Sequence, residues 1–358
     1  MRHDYPTRVP PGGFARLAAE GATADRLIPP FPSQTFSGHA TLATGVSAQR
    51  HGILNNRFKD RVKGVFSYRD EARWYDAMPV WIHTTRLGLR THVLQWVGSR
   101  GPWQGTEPAL APPFDKSVDD DDKLDTVLAW LAGPQPPRLV MSYWYGCDKA
   151  GHGEGPDASE VTDCIAETDA RLERLRAGLA ALPIPVTLLV VSDHGMSRTL
   201  GTVNLYRAFE VLDFAVEIIP SGPIAHIFVA PERLAATEAL AQSLPHVTTW
   251  RRDTVPLAFA YRHPTRTGDL VLMAEPGWTF DGRNAEPLPG VHGHDPTSPD
   301  MGAIFFAWGD GIRPGSRVTQ PRAVDIVPTI CHLLHLPVPA GVEGRALEEI
   351  LAAPRGDP

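Results

Sequence analysis

The stretch PVTLLVVSDHG, residues 185–195, decides the fold class of this chain. It begins with a nearly continuous apolar run and ends on Asp193, His194 and a glycine. Such a run is typical of a strand that is buried on both faces of a sheet. Polar side chains just beyond the carboxyl end of a strand are typical of ligand sites in open α/β sheets. The stretch therefore predicts a buried strand with an Asp-His pair at its end.

Four further apolar runs lie at 91–99, 138–148, 224–230 and 303–311, and all but the run at 224–230 end in polar or glycine residues. Between the runs, helical patterns recur. In one of them the apolar residues follow a spacing of three, four and seven, which predicts a long helix with one buried face. These residues are Val161, Ile165, Leu172, Leu175, Leu179 and Leu182. The alternation predicts an α/β fold with a doubly wound, mostly parallel sheet and helices on both faces.

The segment 213–285 has a strand–helix–strand pattern of its own. We expect it to form a small inserted α+β cap, so that residues 1–212 and 286–358 together form the core domain. A length of 358 residues is ordinary for one large α/β unit with such an insertion.

Composition excludes several classes of protein. The net charge of −7 argues against a nucleic-acid duplex as the main partner. The sequence contains no run of about 18 apolar residues, so no membrane span is predicted. The three cysteines are too few and too scattered for a disulfide framework. The opening MRHDYPTRVPPGG has no apolar stretch that resembles a signal peptide. Taken as it stands, the sequence predicts a cytoplasmic protein, and it says nothing about oligomeric state.

Three clusters of metal-type residues follow the predicted strands. The first is Asp148 with His152, the second is Asp193 with His194, and the third is the loop that contains His292, His294 and Asp295. Carboxylate oxygen and imidazole nitrogen are ligands of zinc and similar divalent ions. Each cluster alone is explained equally well by a helix cap or a hydrogen-bonded pair. All three together, each bracketed by glycine, favour a divalent-cation site.

Thr35 lies in the stretch FPSQTFSGHATLATG, residues 31–45, where a helix is predicted to begin. One interpretation is that Thr35 only caps this helix. The other is that the free N–H groups and the positive dipole end of the helix bind a phosphate. A threonine hydroxyl is a poor nucleophile unless its proton is removed, and contact with a metal ion achieves this at neutral pH.

These motifs resemble the nucleotide pyrophosphatase/phosphodiesterase family of the alkaline phosphatase superfamily. Five blocks carry the resemblance in order across nearly the whole chain: PSQTFSGHATLATG with HGILNN, DKAGHGEGP, VVSDHGM, GVHGHD with MGAIFFAWG, and AVDIVPTICHLL. The resemblance implies an alkaline-phosphatase-like catalytic core and a small nucleotide or other phosphodiester as substrate. It also implies two zinc ions, with other divalent ions as alternatives, and a threonine nucleophile that passes through a covalent nucleotidyl-enzyme intermediate.

The resemblance also implies roles for individual residues. Thr35 is the expected nucleophile, and Asn56 is expected to hydrogen-bond a nonbridging phosphate oxygen. The expected ligands of one zinc are Asp148, His152 and His292, and those of the other are Asp193 and His194, with Thr35 beside them. Phe36 and Tyr143 are expected to line the pocket for the nucleoside. Supporting or packing roles are expected for His39, His51 and His294.

The chain departs from the family pattern at two places. Members of the family begin with a buried strand that ends in Asp-Gly, and this Asp is a further zinc ligand. The motif is absent here, so we expect that the start codon was assigned too late and that this first strand lies ahead of Met1. An export signal could lie there too, which makes the cytoplasmic prediction conditional. Cys147 stands where the family often has proline, and we expect an inert packed thiol, with a minor site of oxidation as the alternative.

Two rival functions remain open. A phosphomonoesterase or phosphonate hydrolase of the same superfamily is one, although monoesterases need extra positive charge where this chain has Asn56. The other is a degenerate, non-catalytic metal-binding member that lacks one Asp ligand. A sulfatase is disfavoured, because no Cys-x-Pro-x-Arg or Ser-x-Pro-x-Arg segment precedes the helix.

Overall fold

The computed structural model describes residues 1–280 and 286–353. Its α-helices are α1 (Gly13–Glu20), α2 (Thr35–Thr44), α3 (Ala48–His51), α4 (Val80–Arg86), α5 (Asp120–Ala132), α6 (Gly146–Glu154), α7 (Ser159–Ala180), α8 (Leu205–Phe209), α9 (Leu234–Ser243) and α10 (Ile326–Leu333). Its strands are β1 (Ala22–Ala24), β2 (Arg57–Asp60), β3 (Gly64–Ser67), β4 (Thr91–Leu94), β5 (Leu139–Ser142), β6 (Thr187–Val191), β7 (Ser197–Arg198), β8 (Gly201–Thr202), β9 (Glu217–Ser221), β10 (Ile224–Phe228), β11 (Val247–Arg251), β12 (Leu270–Ala274), β13 (Trp278–Thr279), β14 (Gly290–Val291), β15 (Phe305–Gly309) and β16 (Ser316–Val318). Within these residues no helix has the length and apolar character needed to cross a membrane.

The core is built on a mixed sheet with the strand order β16–β1–β15–β6. β15 runs antiparallel to both of its neighbours, β1 and β6, whereas β1 and β16 are parallel. A separate parallel pair is formed by β4 and β5. Each of the five apolar runs contains a strand: β4, β5, β6, β10 and β15.

Helices cover both faces of this sheet. Successive side chains of a strand point to opposite faces, so each helical layer packs against alternate residues of the strands. On one face α1 and α7 pack against Leu188, Val190 and Phe306. On the other face α2 and α10 pack against Leu189, Val191 and Phe305. The buried face of α7 is the predicted apolar stripe from Val161 to Leu179. The α/β class with helices on both faces is therefore confirmed.

The prediction of a mostly parallel sheet needs correction, because the sheet is mixed. A strand between two helical layers is apolar along its whole length whichever way its neighbours run. The apolar run of β15 therefore indicated burial but not strand direction. Within the described residues no ladder joins β5 to β6, and the side chains of β6 are only half-buried. The expected strand ahead of Met1 stays a prediction.

A second sheet lies in the segment predicted as a cap. It has the order β11–β12–β10–β9 and is antiparallel throughout. One face packs with α8 and α9 in a separate hydrophobic cluster, and the other packs against the main core. The boundaries 213 and 285 stay predictions. The ends of the two predicted domains, at 281–285 and 354–358, lie outside the described residues.

A buried ion-pair network joins the second sheet to the core. Arg266, whose side chain is 1% exposed, donates to Asp60 at 2.8 Å, to Asp76 at 3.0 Å and to the Trp74 carbonyl at 3.0 Å. Burial by itself would raise the pKa of Asp60. The hydrogen bonds from Arg266 and from the N–H groups of Val62 and Lys63 outweigh burial and lower this pKa to about 2. The pair is therefore ionised at neutral pH and holds the two parts of the chain together.

We expect Asp60→Asn to destabilise the protein by about 3–5 kcal/mol, because it leaves the Arg266 guanidinium buried with one carboxylate fewer. The folded-state pKa is depressed, so this stabilisation is present above about pH 4 and is lost as the pH falls toward about 2. The matched control is Asp125→Asn, which breaks an exposed ion pair with Arg174 and should cost less than about 1 kcal/mol. Urea unfolding at pH 7 measures both changes, and equal costs would contradict the assignment.

Candidate active site

The first ligand cluster begins on a helix rather than at the end of a strand. The predicted run 138–148 leaves its strand at Ser142, and α6 begins at Gly146. Asp148 and His152 are four residues apart on α6, so both side chains lie on one face of the helix. Their nearest atoms, Asp148 Oδ2 and His152 Nε2, are 3.7 Å apart. Helical spacing, not a strand end, brings these two residues together.

The second cluster follows β6, as the sequence predicts. Asp193 and His194 are buried just beyond Val191, and Asp193 Oδ2 lies 3.2 Å from His194 Nε2. The same His194 nitrogen lies 3.3 Å from Thr35 Oγ1. Close approach of α2 is possible because Gly38 packs on Asp193, where a Cβ would lie 2.7 Å from the Asp193 Cβ. Thr35 is thus placed directly against the Asp-His pair.

His292 connects the two clusters. It follows the short strand β14, and its Nε2 lies 3.1 Å from His152 Nε2 and 3.8 Å from Asp148 Oδ1. Its ring stacks on the His194 ring with centroids 3.5 Å apart. Asp148, His152 and His292 together form a group whose ligand atoms lie within 4.8 Å of one another. The structure therefore brings together all five predicted ligands and Thr35.

Backbone carbonyls fix the orientation of the three imidazoles. The Nδ1 atoms of His152, His194 and His292 lie 2.8, 2.8 and 3.0 Å from the carbonyls of Gly290, Gly195 and Ser33. A carbonyl only accepts, so each Nδ1 carries a proton, and a ring presents a lone pair at Nε2 when it is neutral. Two such lone pairs, on His152 and His292, face each other at 3.1 Å. This arrangement is repulsive alone and favourable around a cation.

The charge states also suit a cation. Burial by itself would raise the pKa of Asp193, but His194 and His39 outweigh it and hold the pKa well below its usual range. Burial, together with neighbouring His194 and His152, lowers the pKa of His292 well below its usual value. Burial by itself would lower the pKa of His194, but the charges of Asp193 and Asp148 outweigh it and raise this pKa. At neutral pH the Asp193 carboxylate is therefore ionised and the His292 imidazole neutral. Asp148 Oδ1 and Asp193 Oδ2 are buried without a hydrogen-bond partner. The donor set thus fits divalent cations.

Thr35 is the first residue of α2, and Gln34 occupies the N-cap position without a side-chain capping bond. The interpretation of Thr35 as an N-cap is therefore wrong. Asn56, which is 6% exposed, accepts from the Phe36 N–H at 2.9 Å through its Oδ1. This contact places the Asn56 amide beside Thr35, at the positive end of the helix dipole.

The two predicted pocket aromatics make separate sets of ring contacts. Phe36 makes edge contacts with Phe66 and Tyr68. Tyr143 contacts the His39 ring with centroids 4.4 Å apart. Burial and the nearby charges of Asp193 and Asp148 raise the pKa of its hydroxyl well above the usual value. The roles of Phe36 and Tyr143 in holding a nucleoside stay predictions.

The three histidines predicted to support the site differ in position. His39 Nδ1 lies 2.8 Å from the Thr35 carbonyl and 3.3 Å from Asp193 Oδ2. His51 is buried against Thr41, where burial and then the Arg266 charge lower its pKa to about 3. His294 lies 3.0 Å from the Trp278 carbonyl. Only His39 is in contact with a predicted ligand.

The expectation of a free thiol at Cys147 is wrong. Cys147 forms a disulfide with Cys164, which joins the ligand helix α6 to α7. The two residues lie 17 positions apart, and in sequence neither belongs to a recognisable pairing pattern. A helix docked on a neighbouring helix brought them within reach.

Sequence reasoning missed three residues around Asn56. Gln34 accepts from Asn56 Nδ2 at 3.0 Å, Asn55 Oδ1 accepts from the Asn56 N–H at 2.8 Å, and the Tyr68 N–H donates to the Asn56 carbonyl at 2.9 Å. The two adjacent asparagines in the sequence could have indicated that Asn55 supports Asn56. Gln34 and Tyr68 carry no local pattern, because their partners are distant in sequence.

Comparison with known proteins gives consistent results. A family model described as type I phosphodiesterase / nucleotide pyrophosphatase matches residues 1–295. Ectonucleotide pyrophosphatase/phosphodiesterase family member 5 of Homo sapiens is 28% identical over 347 residues, which are 94% of this chain and 72% of that protein. The bis(5'-adenosyl)-triphosphatase ENPP4 of Homo sapiens is 27% identical over 351 residues, which are 94% of this chain and 76% of that protein.

Solved structures agree with these relatives. Murine ectonucleotide pyrophosphatase/phosphodiesterase 5 superposes with a TM-score of 0.91 and 26% identity, and the match covers 98% of this chain and 97% of that one. An inactive variant of the murine protein in complex with AMP superposes with a TM-score of 0.92 and 27% identity, over the same shares of the two chains.

We expect Asp193→Asn to lower bound divalent metal by at least half, because it removes the negative charge from a buried carboxylate beside His194. Asp295→Asn is the matched control. Asp295 accepts only from nearby Thr297 within its own turn, and the control should keep the wild-type metal content. Inductively coupled plasma mass spectrometry after gel filtration measures the stoichiometry. Unchanged metal in Asp193→Asn would remove this residue from the ligand set.

We expect reduction of the Cys147–Cys164 disulfide to destabilise the protein by about 3 kcal/mol, since the bond closes a short loop. It should also weaken metal retention, because Cys147 directly precedes Asp148. Thermal unfolding and metal content with and without tris(2-carboxyethyl)phosphine measure both effects. The variant with both Cys147→Ala and Cys164→Ala is the control and should not respond to the reductant. A response of equal size in this variant would show that the disulfide is not the cause.

Proposed function

The chain belongs to the type I phosphodiesterase / nucleotide pyrophosphatase family and is a hydrolase of that type, and we propose that it cleaves phosphodiester or pyrophosphate bonds of small nucleotide-type substrates with Thr35 as the nucleophile. The observation that supports this proposal is the contact of Thr35 Oγ1 with the Asp193–His194 pair, which itself stacks on the Asp148–His152–His292 group. A hydroxyl at a helix start beside two clusters of anionic and neutral donors is suited to attack on phosphorus.

Two divalent cations, which we propose to be zinc, would be held by these two clusters. When bound, they would lower the pKa of the Thr35 hydroxyl and neutralise the charge that develops on the phosphoryl group. Asp193 and His194 would hold the cation next to Thr35. Asp148, His152 and His292 would hold the other. The stacked rings of His194 and His292 keep the two positions close to each other.

The proposed reaction proceeds in two displacements. In the first, a bond forms between Thr35 Oγ1 and phosphorus, and the bond from phosphorus to the leaving oxygen breaks. The proton that Thr35 loses is balanced by the proton that the leaving group takes up. In the second, water breaks the bond between Thr35 Oγ1 and phosphorus, hydroxide adds to phosphorus, and a proton returns to Thr35. The product is a nucleoside 5′-monophosphate.

Asn56 stabilises the phosphoryl group in both displacements. Its Oδ1 is held by the Phe36 N–H, so its Nδ2 is the group that donates. One Nδ2 proton goes to Gln34, and the second is free to donate to a nonbridging phosphate oxygen. Preorganised donors of this kind are effective because they need no reorientation during the reaction.

The phosphomonoesterase alternative has less support. A dianionic monoester needs an additional cationic side chain, and Arg50 and Arg57, the first residue of β2, are the candidates by sequence position. In the structure Arg50 donates to the Gly341 carbonyl at 2.6 Å and lies 3.6 Å from Glu343. It is thus engaged with the C-terminal part of the chain. The bis(5'-adenosyl)-triphosphatase name of one relative and the AMP complex of another favour a nucleotide substrate.

We expect the metal-loaded protein to hydrolyse p-nitrophenyl thymidine 5′-monophosphate at least about tenfold more efficiently than p-nitrophenyl phosphate. Thr35→Ala should lower kcat for the diester by at least about 10³-fold, because it removes the attacking oxygen. Thr35→Ser, which keeps a hydroxyl, is the matched control and should retain measurable turnover. Release of p-nitrophenol measures all three. Near wild-type activity of Thr35→Ala would rule out Thr35, and a preference for the monoester would favour the alternative function.

A further inference from the structure

Gln34 is a buried side chain in the middle of the site, and the proposed reaction assigns it no role. It lies between Ser33, whose carbonyl orients the His292 ring, and Thr35. The residue is 3% exposed. A buried amide at this depth needs hydrogen-bond partners for both of its ends, and those partners identify what it does.

The Gln34 amide stands in a chain of hydrogen bonds that all run in one direction. Gln34 Nε2 donates to the His292 carbonyl at 3.1 Å, and Gln34 Oε1 accepts from Asn56 Nδ2 at 3.0 Å. Asn56 Oδ1 in turn accepts from the Phe36 N–H at 2.9 Å. A backbone carbonyl cannot donate and an N–H cannot accept, so both ends of the chain fix the orientation of both amides. Neither amide can flip without losing two bonds.

Two glycines leave room for the Gln34 amide. A Cβ on Gly293 would lie 2.2 Å from Gln34 Nε2, and a Cβ on Gly222 would lie 2.4 Å from the same atom. Both glycines have a positive φ, of +113° and +60°, and residues other than glycine rarely adopt such a backbone conformation. The backbone from two distant loops therefore closes around this one amide. Such a fit is independent of the hydrogen bonds and supports a defined position for Gln34.

The same network reaches the turn between β9 and β10 of the second sheet. Gln34 Nε2 lies 3.4 Å from the Ser221 carbonyl. Asn55 Nδ2 donates to that carbonyl at 3.3 Å, and Ser221 Oγ donates to Asn55 Oδ1 at 3.0 Å. Asn55 Oδ1 also accepts from the Asn56 N–H. The backbone and the side chain of Asn56 are thus both held by residues that contact Ser221.

We propose that Gln34 is a positioning residue that holds the Asn56 amide in the orientation in which its second Nδ2 proton meets the phosphoryl group. The inference rests on the proposed function, because it assumes that Asn56 donates to substrate. Gln34 does not itself touch the reacting atoms. It acts by keeping Nδ2 directed away from the Phe36 N–H and by tying Asn56 to the His292 loop, so that the donor and the ligand cluster keep a fixed separation.

A double-mutant cycle tests this inference. Gln34→Met keeps the length of the side chain and removes both hydrogen bonds. We expect it to lower kcat for p-nitrophenyl thymidine 5′-monophosphate by about 10- to 100-fold and to change KM by less than about threefold. The expected loss in kcat is smaller than that for complete removal of a transition-state donor, because Asn56 is still present. In an Asn56→Ala background the same substitution should change kcat by less than about threefold, since the group that Gln34 positions is gone.

The matched control is Gln49→Met. Gln49 also uses its Oε1 to accept from a backbone N–H, that of Arg262, at 3.3 Å, but lies outside the site. It should leave kcat and KM within about twofold of wild type. Equal kcat losses from Gln34→Met in the wild-type and Asn56→Ala backgrounds would overturn the inference. So would an unchanged kcat in Gln34→Met.

A second measurement needs neither activity nor a variant at Gln34. In the intact protein without substrate, the Asn56 side-chain amide resonances are identified by their loss in Asn56→Asp. Hydrogen exchange of the Nδ2 proton that faces Gln34 should be at least about tenfold slower than that of the other Nδ2 proton. Equal exchange of both would overturn the inference. If the wild-type protein cleaves no phosphodiester, the proposed function fails, and the exchange ratio still decides whether Gln34 holds Asn56.

Discussion

The site depends on the close approach of three imidazole rings whose Nε2 atoms all face inward. Because His152, His194 and His292 each donate Nδ1–H to a backbone carbonyl, their Nε2 atoms point inward, beside buried oxygens of Asp148 and Asp193. Packing forces these groups together, and their mutual repulsion is relieved only by positive charge. The stability of the fold therefore holds together a group of side chains whose chemistry suits a divalent cation.

Each of the three carbonyls belongs to a different part of the chain. Gly290 begins β14, Gly195 follows β6, and Ser33 precedes α2. The same short segment that orients His292 also contains Gln34 and Thr35. The positions of the proposed nucleophile, the proposed phosphate donor and one candidate metal ligand are therefore set by a few adjacent residues, so a small shift of this segment would disturb all three at once. The second sheet takes part through Ser221, which links the predicted cap to the chemistry of the core.

The parts that local pattern predicted well are those in which one physical rule dominates. The apolar stripe of α7 and the five strand-forming runs follow from the burial of one face or of a whole strand. The candidate ligands were chosen by the donor chemistry of Asp and His; the structure brings them together, and their role as ligands stays a prediction. Local pattern did not predict features that depend on contacts between residues distant in sequence. The direction of β15, the helical start at Gly146 ahead of Asp148, and the disulfide of Cys147 with Cys164 each depend on a partner that is distant in sequence.

The sequence by itself determined the α/β class, the candidate ligands and the position of Thr35, because composition, periodicity and residue type carry that information locally. Only the tertiary structure decided which way each ring and amide faces. It also decided that Gln34 and Asn55 hold Asn56, and that Arg266 binds the second sheet to the core. The reason is that a hydrogen bond has a direction, and the carbonyl or N–H that fixes it comes from residues up to 259 positions away.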